Sequence, residues 1–214
     1  MKNLEILYED DFSIIVNKPA GLAVQGGKGV KTSLDKILAE IRSPAPLLVH
    51  RLDKDTSGLL LAAKTKEAAA RFSRVLGAER KAVKQYTAVC AGRPEKSEGI
   101  ITEDLLIRRT VKKSVTKYKV IKSGEISLPE AQEFSVLEIE LGTGRMHQIR
   151  RHLAMNGSPV LGDDKYGDFA LNKKLRKAAG LKRLLLHASR LILKDGFNLD
   201  IRAPLPEYFH FFTI

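Results

Sequence analysis

Cysteine is almost absent. Cys90 stands alone, which excludes disulfides within the chain and any cysteine-based zinc site, and fits a reducing compartment. Long apolar runs are missing too: no stretch approaches the roughly 18 residues of a membrane-spanning helix. The N-terminal MKNLEILYEDD lacks the basic-then-apolar pattern of a signal peptide. A soluble, cytoplasmic protein with no membrane partner is expected. Also missing are G-x-x-x-x-G-K-[ST], a helix-opening G-x-G-x-x-G and G-x-S-x-G, the marks of nucleoside-triphosphate, dinucleotide and serine-hydrolase chemistry. His50, His147, His152 and His187 are not paired as H-E-x-x-H or joined by cysteines at zinc spacing, so neither a metal nor another cofactor is expected.

Acid is lacking where base is concentrated. The 214 residues carry a formal charge of +12, which predicts an anionic partner, either nucleic acid or an acidic membrane surface. Residues 105–124 hold seven Lys or Arg and no acid, and residues 169–194 hold eight more, again with none. Apolar residues interleave with these cations, so the charge belongs to folded faces rather than a tail. A solvated face is the bland account; two separated basic segments favour a polyanion. Lys112, Lys113, Lys173 and Lys174 are the expected phosphate contacts.

Length alone allows one domain, or two closely joined halves, over 1–214, burying about 70% of the unfolded surface. Strands are expected near 5–8 and 12–17. A short helix after Ser33 should carry Leu34, Ile37, Leu38 and Ile41 inward. Strand-like runs at 47–49 and 59–63 flank a polar turn, and a helix over 66–80 should face Ala70, Phe72, Val75 and Leu76 inward. Alternation returns in KQYTAVCAG, VTKYKVI and EFSVLEIEL, which suits an antiparallel sheet with one covered face. RMHQIRRHLAMNG follows GTG as a helix with Gly157 in the C-terminal capping position. RLLLHASRLIL and FNLDIRA read as strands, and a short aromatic helix begins at Pro206. The class is α+β, with a large, mainly antiparallel mixed sheet and flanking helices.

The turn DKDTSG sets Asp53 at a strand edge, where a scaffold can hold a reactive side chain. Capping of the turn by Asp53 and Asp55 is one account. Calcium is another, because Asp53, Asp55, Ser57 and Gly58 match the opening of an EF-hand loop. The twelfth position is Lys64, however, a cation where a bidentate Glu is required. Glycoside hydrolysis with Asp55 as a second carboxylate is a third. On the helix from Arg145, Met146, Ile149 and Leu153 form an apolar stripe, and Arg150 borders it. A partly buried guanidinium needs an anion, for which Asp53 is the leading candidate. Such a pairing would favour the ionised carboxylate. Arg145, Gln148 and His152 share another face, as readily explained by capping and solvation as by substrate contact.

HRLDKDTSGLLLAAKT resembles the signature of the RluA family of pseudouridine synthases, and GRMHQIRRHLAMNGSPVLGDDKYGD resembles that family's second long motif. YEDDFSIIVNKPAGLAVQGG, KQYTAVCAG and GLKRLLLHASRL extend the likeness across nearly the whole chain. AVQGGKG, GDDKYGDFALN and LKRLLLHA are most similar to the RluC-like branch, which acts on large-subunit (23S) ribosomal RNA. Two departures stand out: Met146 where the family usually has threonine, and no N-terminal S4-like RNA-binding domain. The resemblance implies the pseudouridine synthase fold with a central catalytic cleft, an RNA partner, no cofactor and a monomer. It also implies that Asp53 is catalytic, Tyr86 packs on the target base, Arg150 pairs with Asp53, Leu186 closes the pocket and Arg51 responds to the flipped nucleotide. On its own strand, Tyr86 shares a face with Ala88 and Cys90 and would read as core. A non-catalytic RNA-binding or ribosome-assembly protein is the alternative.

Overall fold

A computed structural model describes residues 4–77, 81–127, 130–194 and 196–213. The chain divides into two compact units, one formed by residues up to Lys84 with Ala188–Pro204, the other by Gln85–His187 with the residues from Leu205 onward.

The first unit opens with β1 (Glu5–Glu9), β2 (Ser13–Lys18), α1 (Leu34–Ile41), β3 (Leu47–Leu48), β4 (Ser57–Ala63) and α2 (Lys66–Leu76). Strand β5 (Ala82–Ala91) then carries the chain into the second unit, which contains β6 (Glu98–Ile101), β7 (Leu105–Ile107), β8 (Thr110–Lys112), β9 (Thr116–Ile126) and β10 (Gln132–Leu141). Helices α3 (Gln148–Met155) and α4 (Phe169–Ala179) follow, and β11 (Leu186–Leu193) returns to the first unit, where β12 (Leu199–Arg202) pairs with it antiparallel. A 3-10 turn (Glu207–Phe209) and α5 (His210–Thr213) belong to the second unit.

In the first unit the strand order is β1-β2-β4-β11, with β3 joined to β4 at Ala62 and Ala63. All seven residues of β4 are buried, which is why its sequence, SGLLLAA, is a continuous apolar run rather than an alternating one. Ile14, Ile15, Leu34, Leu38, Leu60, Leu61 and Phe72 are fully buried and form this unit's core. Gly58 adopts φ +107°, and a Cβ there would lie 2.3 Å from the carbonyl oxygen of Ala188. Only glycine permits so close an approach of two backbones.

In the second unit the order is β5-β10-β9-β6, with β7 and β8 forming a separate hairpin. Strand β9 alternates buried and exposed residues over its first turns of pleat, as a strand with one solvated face must. Arg108 and Arg109, at the tip of the β7–β8 hairpin, both have positive φ (47° and 67°), the backbone signature of a type I′ turn whose twist matches the strands.

Several expectations change on inspection of the structure. Ala68, not Ala70, is the buried alanine of α2. The helix ends at Leu76, and the expected continuation through 78–80 lies outside the described residues. Met146 is 53% exposed and precedes α3, which begins at Gln148, so it belongs to no buried stripe. Helix α4 and strands β6, β7 and β8 were not anticipated.

Candidate active site

Asp53 sits in the connection from β3 to β4. The amide of Thr56 donates to the carbonyl of Asp53 (3.2 Å), so 53–56 is a closed β-turn with an aspartate at its first position. Leu52, Thr56 and Ser57 on either side are buried, Asp53 is half-buried and Arg51 is exposed. Two further contacts fix the turn. The imidazole Nε2 of His50 accepts from the amide of Leu61 at 2.9 Å, pinning the incoming chain to β4. At the end of β2, Lys18 is wholly buried, and its Nζ donates to the carbonyls of Pro19, Leu22 and Lys54 at 3.0, 2.9 and 2.9 Å. The Lys54 carbonyl also accepts from the amide of Gly21 (2.9 Å). An ammonium has three donors, and all three are used.

Burial pulls the Lys18 ammonium down to about 8, while the charges of Asp55 and Asp53 oppose that fall. A buried cation beside two aspartates is a field source that the sequence reading overlooked. The signal was present: Lys18 closes a strand with an apolar centre, just before a proline. Burial likewise lowers the pKa of His50 to about 4, with Lys84 adding to the effect, so His50 is neutral and its Nε2 is available as an acceptor.

The second unit carries Arg150, Tyr86 and Leu186. Arg150 lies on α3 with its side chain 5% exposed. Its Nε and Nη2 donate to the two carboxylate oxygens of Asp163, each at 2.7 Å, and Nη2 also reaches Asp164 at 3.3 Å. Asp163 is itself held by the amides of Lys165 (2.9 Å) and Tyr166 (3.0 Å). Burial works to raise the Asp163 pKa, but the bonds from Arg150 and those amides hold it below the usual value. Asp163, a residue the sequence reading did not name, thus supplies an anion that holds Arg150. The tyrosine ring of Tyr166 lies 5.4 Å from the guanidinium, and its hydroxyl is 3.1 Å from Nδ1 of His147. Tyr86, opposite Ile139 in the β5–β10 ladder, is 8% exposed, and Leu186, at the start of β11, is 3% exposed.

Gln148 and His152 are not surface residues. The amide oxygen of Gln148 accepts from Thr143 (2.7 Å) and from the amide of Arg145 (3.0 Å), while its Nε2 donates to the Val115 carbonyl (2.9 Å) and to Thr116 (3.0 Å). His152 bonds Thr116 through Nδ1 and the Glu103 carbonyl through Nε2, both at 2.9 Å. Arg151 donates to the Leu106 carbonyl (3.1 Å) and Arg145 to that of Lys113 (3.2 Å). Helix α3 and the loop before it thus grip the β7–β8 hairpin from both ends. Lys112, Lys113, Lys173 and Lys174 are all exposed, and Lys174 lies 3.4 Å from Glu130.

A family model described as RNA pseudouridylate synthase matches residues 12–155. The chain is 36% identical, over 95% of its length and 69% of the relative's, to a ribosomal large subunit pseudouridine synthase C from Rickettsia typhi. A protein of the same name from Rickettsia bellii is 39% identical over 96% of this chain and 69% of its own. Among solved structures, human RNA Pseudouridylate Synthase Domain Containing 1 superposes with a TM-score of 0.77 at 28% identity, covering 95% of this chain and 84% of that one.

Proposed function

The chain belongs to the RNA pseudouridylate synthase family, and from that premise we propose that it isomerises uridines of large-subunit ribosomal RNA with Asp53 as the acting carboxylate. The conversion conserves every atom of the nucleotide except exchanged protons. The bond from uracil N1 to the ribose C1′ breaks, the base turns, C5 bonds to C1′, and the C5 proton leaves while N1 gains one. Asp53 begins the sequence either by attacking C1′, which expels the base, or by taking the 2′ proton, which leaves a glycal. No water enters the bond being broken, so the second carboxylate of a glycosidase is unnecessary.

The observation that carries this reading is the fixed turn. The Lys18 ammonium and the Gly21 amide hold the Lys54 carbonyl, and the Thr56 amide holds the Asp53 carbonyl. A half-buried carboxylate is thereby presented on a backbone that cannot drift, as positioned catalysis needs. In the proposal Arg150, oriented by Asp163, pairs with Asp53. Tyr86 packs on the flipped base, Leu186 closes the pocket and Arg51 answers the displaced nucleotide. Extrusion of the base costs a few kcal/mol, which stacking and phosphate contacts offset. Lys112, Lys113, Lys173 and Lys174 supply those contacts. The protein acts in the cytoplasm as a monomer.

The test is tritium release from 5-labelled uridine in ribosomal RNA, run beside filter binding. Asp53→Asn keeps the size of the side chain and removes the nucleophile and base. It should abolish release and retain RNA binding, whereas Asp55→Asn should keep substantial activity. Release by Asp53→Asn would end the proposal, and equal loss in both variants would restore the two-carboxylate alternative.

A further inference from the structure

The aromatic tail has no part in the chemistry above, yet it forms one side of a pocket. Helix α4 ends at Gly180 in the left-handed conformation (φ 65°), whose amide returns to the Leu175 carbonyl. The segment that follows, with Lys182 and Arg183 exposed on it, faces Tyr208, Phe211 and Phe212 across a cavity of about 310 Å³, at the small end of the range for ligand pockets. Both walls are stiff. The backbone of Arg183 packs so closely on Gly162 that a Cβ there would overlap its carbonyl, and the Leu185 amide bonds the Leu161 carbonyl at 2.9 Å. Phe212 is 2% exposed and stands edge-on to Phe134 with centroids 5.2 Å apart, and Phe211 in turn stands edge-on to Phe212 at 5.0 Å.

Phe211 is nevertheless 64% exposed. A phenylalanine held in place by its neighbours with its outer surface in water is a preformed platform, and it shares its pocket with the cations Lys182 and Arg183. An acidic peptide would suit the charge, but not a flat aromatic surface bordered by separate cations. An unpaired nucleotide suits both, with its base against the ring and its phosphates against the basic rim. We propose that this pocket binds an unstacked base of the RNA, with Phe211 as the stacking surface and Lys182 and Arg183 at the flanking phosphates. The inference rests on the RNA-synthase reading and adds to it a second point of grip, carried entirely by the second unit.

Binding is measured by fluorescence anisotropy with a labelled single-stranded U-rich 12-mer and with a duplex of the same length, over a range of salt. Phe211→Ala should weaken the single strand roughly 5- to 150-fold and leave its salt slope unaltered, because every cation at the phosphates remains. Phe211→Trp should restore affinity. Lys182→Ala should instead flatten the salt slope by about 0.7. Phe211 is exposed, so its loss should not disturb folding, and a thermal melt checks this. Wild-type affinity in Phe211→Ala, or an equal loss on single strand and duplex, overturns the proposal. Absence of tritium release from the wild-type protein would strike the synthase reading alone and leave these binding results standing.

Discussion

Arg150 donates two short hydrogen bonds to Asp163 in a buried setting, and removing either partner takes away the main support of the other's charge. Asp163→Asn should lower the unfolding free energy by about 3–5 kcal/mol in urea denaturation. Arg150→Met should abolish turnover while RNA affinity stays near wild type. An affinity loss as large as the activity loss would make Arg150 a phosphate contact instead. His50 gives a pH signature. Its folded pKa, about 4, is below its ordinary 6.5, so the unfolded chain takes up the proton first. The stabilisation is complete above pH 6.5 and is lost as pH falls towards 4, a cost of roughly 1–3 kcal/mol. His50→Gln preserves an acceptor for the Leu61 amide and should flatten that part of the pH–stability curve relative to wild type. At this scale the turn that carries Asp53 was legible, because a polar DKDTSG between two apolar runs is conspicuous. Asp163 was not: it lies thirteen positions beyond Arg150 across an irregular turn, and no periodicity spans that gap. A buried arginine does demand a carboxylate, and Asp163 and Asp164 are the next acids along the chain.

Strand β4 is the element most sensitive to a single methyl group. Gly58→Ala must fit a Cβ against the Ala188 backbone at a φ that L-residues avoid, so the strand or its neighbour must move. We expect a loss of more than about 3 kcal/mol, or failure to fold, whereas Gly27→Ala, where a Cβ meets nothing within 4 Å, should be nearly silent. Comparative thermal melts settle the contrast. Strands with a strong apolar run or clear alternation were legible from sequence, β4, β9 and β10 among them. Helix α4 escaped because Leu171 and Leu175 are its buried residues and four cations separate or flank them, which hides the 3.6-residue period. Its boundaries were nevertheless written in the chain, since Asp168 caps the start through the Leu171 amide and Gly180 ends it. The start of α3 was misplaced by Met146, whose apolar side chain imitates a core position while standing in solvent.

Across the molecule, net charge is the property that sequence and structure share most directly. The surface cations of 105–124 and 169–194 lie in the second unit except for Arg190 and Lys194, so RNA affinity should depend on that unit's face. Replacing Lys112, Lys113, Lys173 and Lys174 together by alanine should reduce the slope of log affinity against log salt by about 0.7 for each phosphate left without its lysine. Lys174 should contribute least, because Glu130 already lies beside it. An unchanged slope in the fourfold variant would assign these lysines to solubility.

The first unit closes only with residues 188–204, and that has a consequence for synthesis. Strand β4 receives its neighbour β11 after more than a hundred further residues have been added, a delay on the order of 5–20 s at ordinary elongation rates. Throughout that interval the part of this apolar strand beyond its short pairing with β3 has an open edge, the condition under which chains pair with the wrong partner. The segment up to Lys84 therefore cannot fold to completion as it emerges from the ribosome. It must be shielded, or kept loosely collapsed, until residues 188–204 have been added.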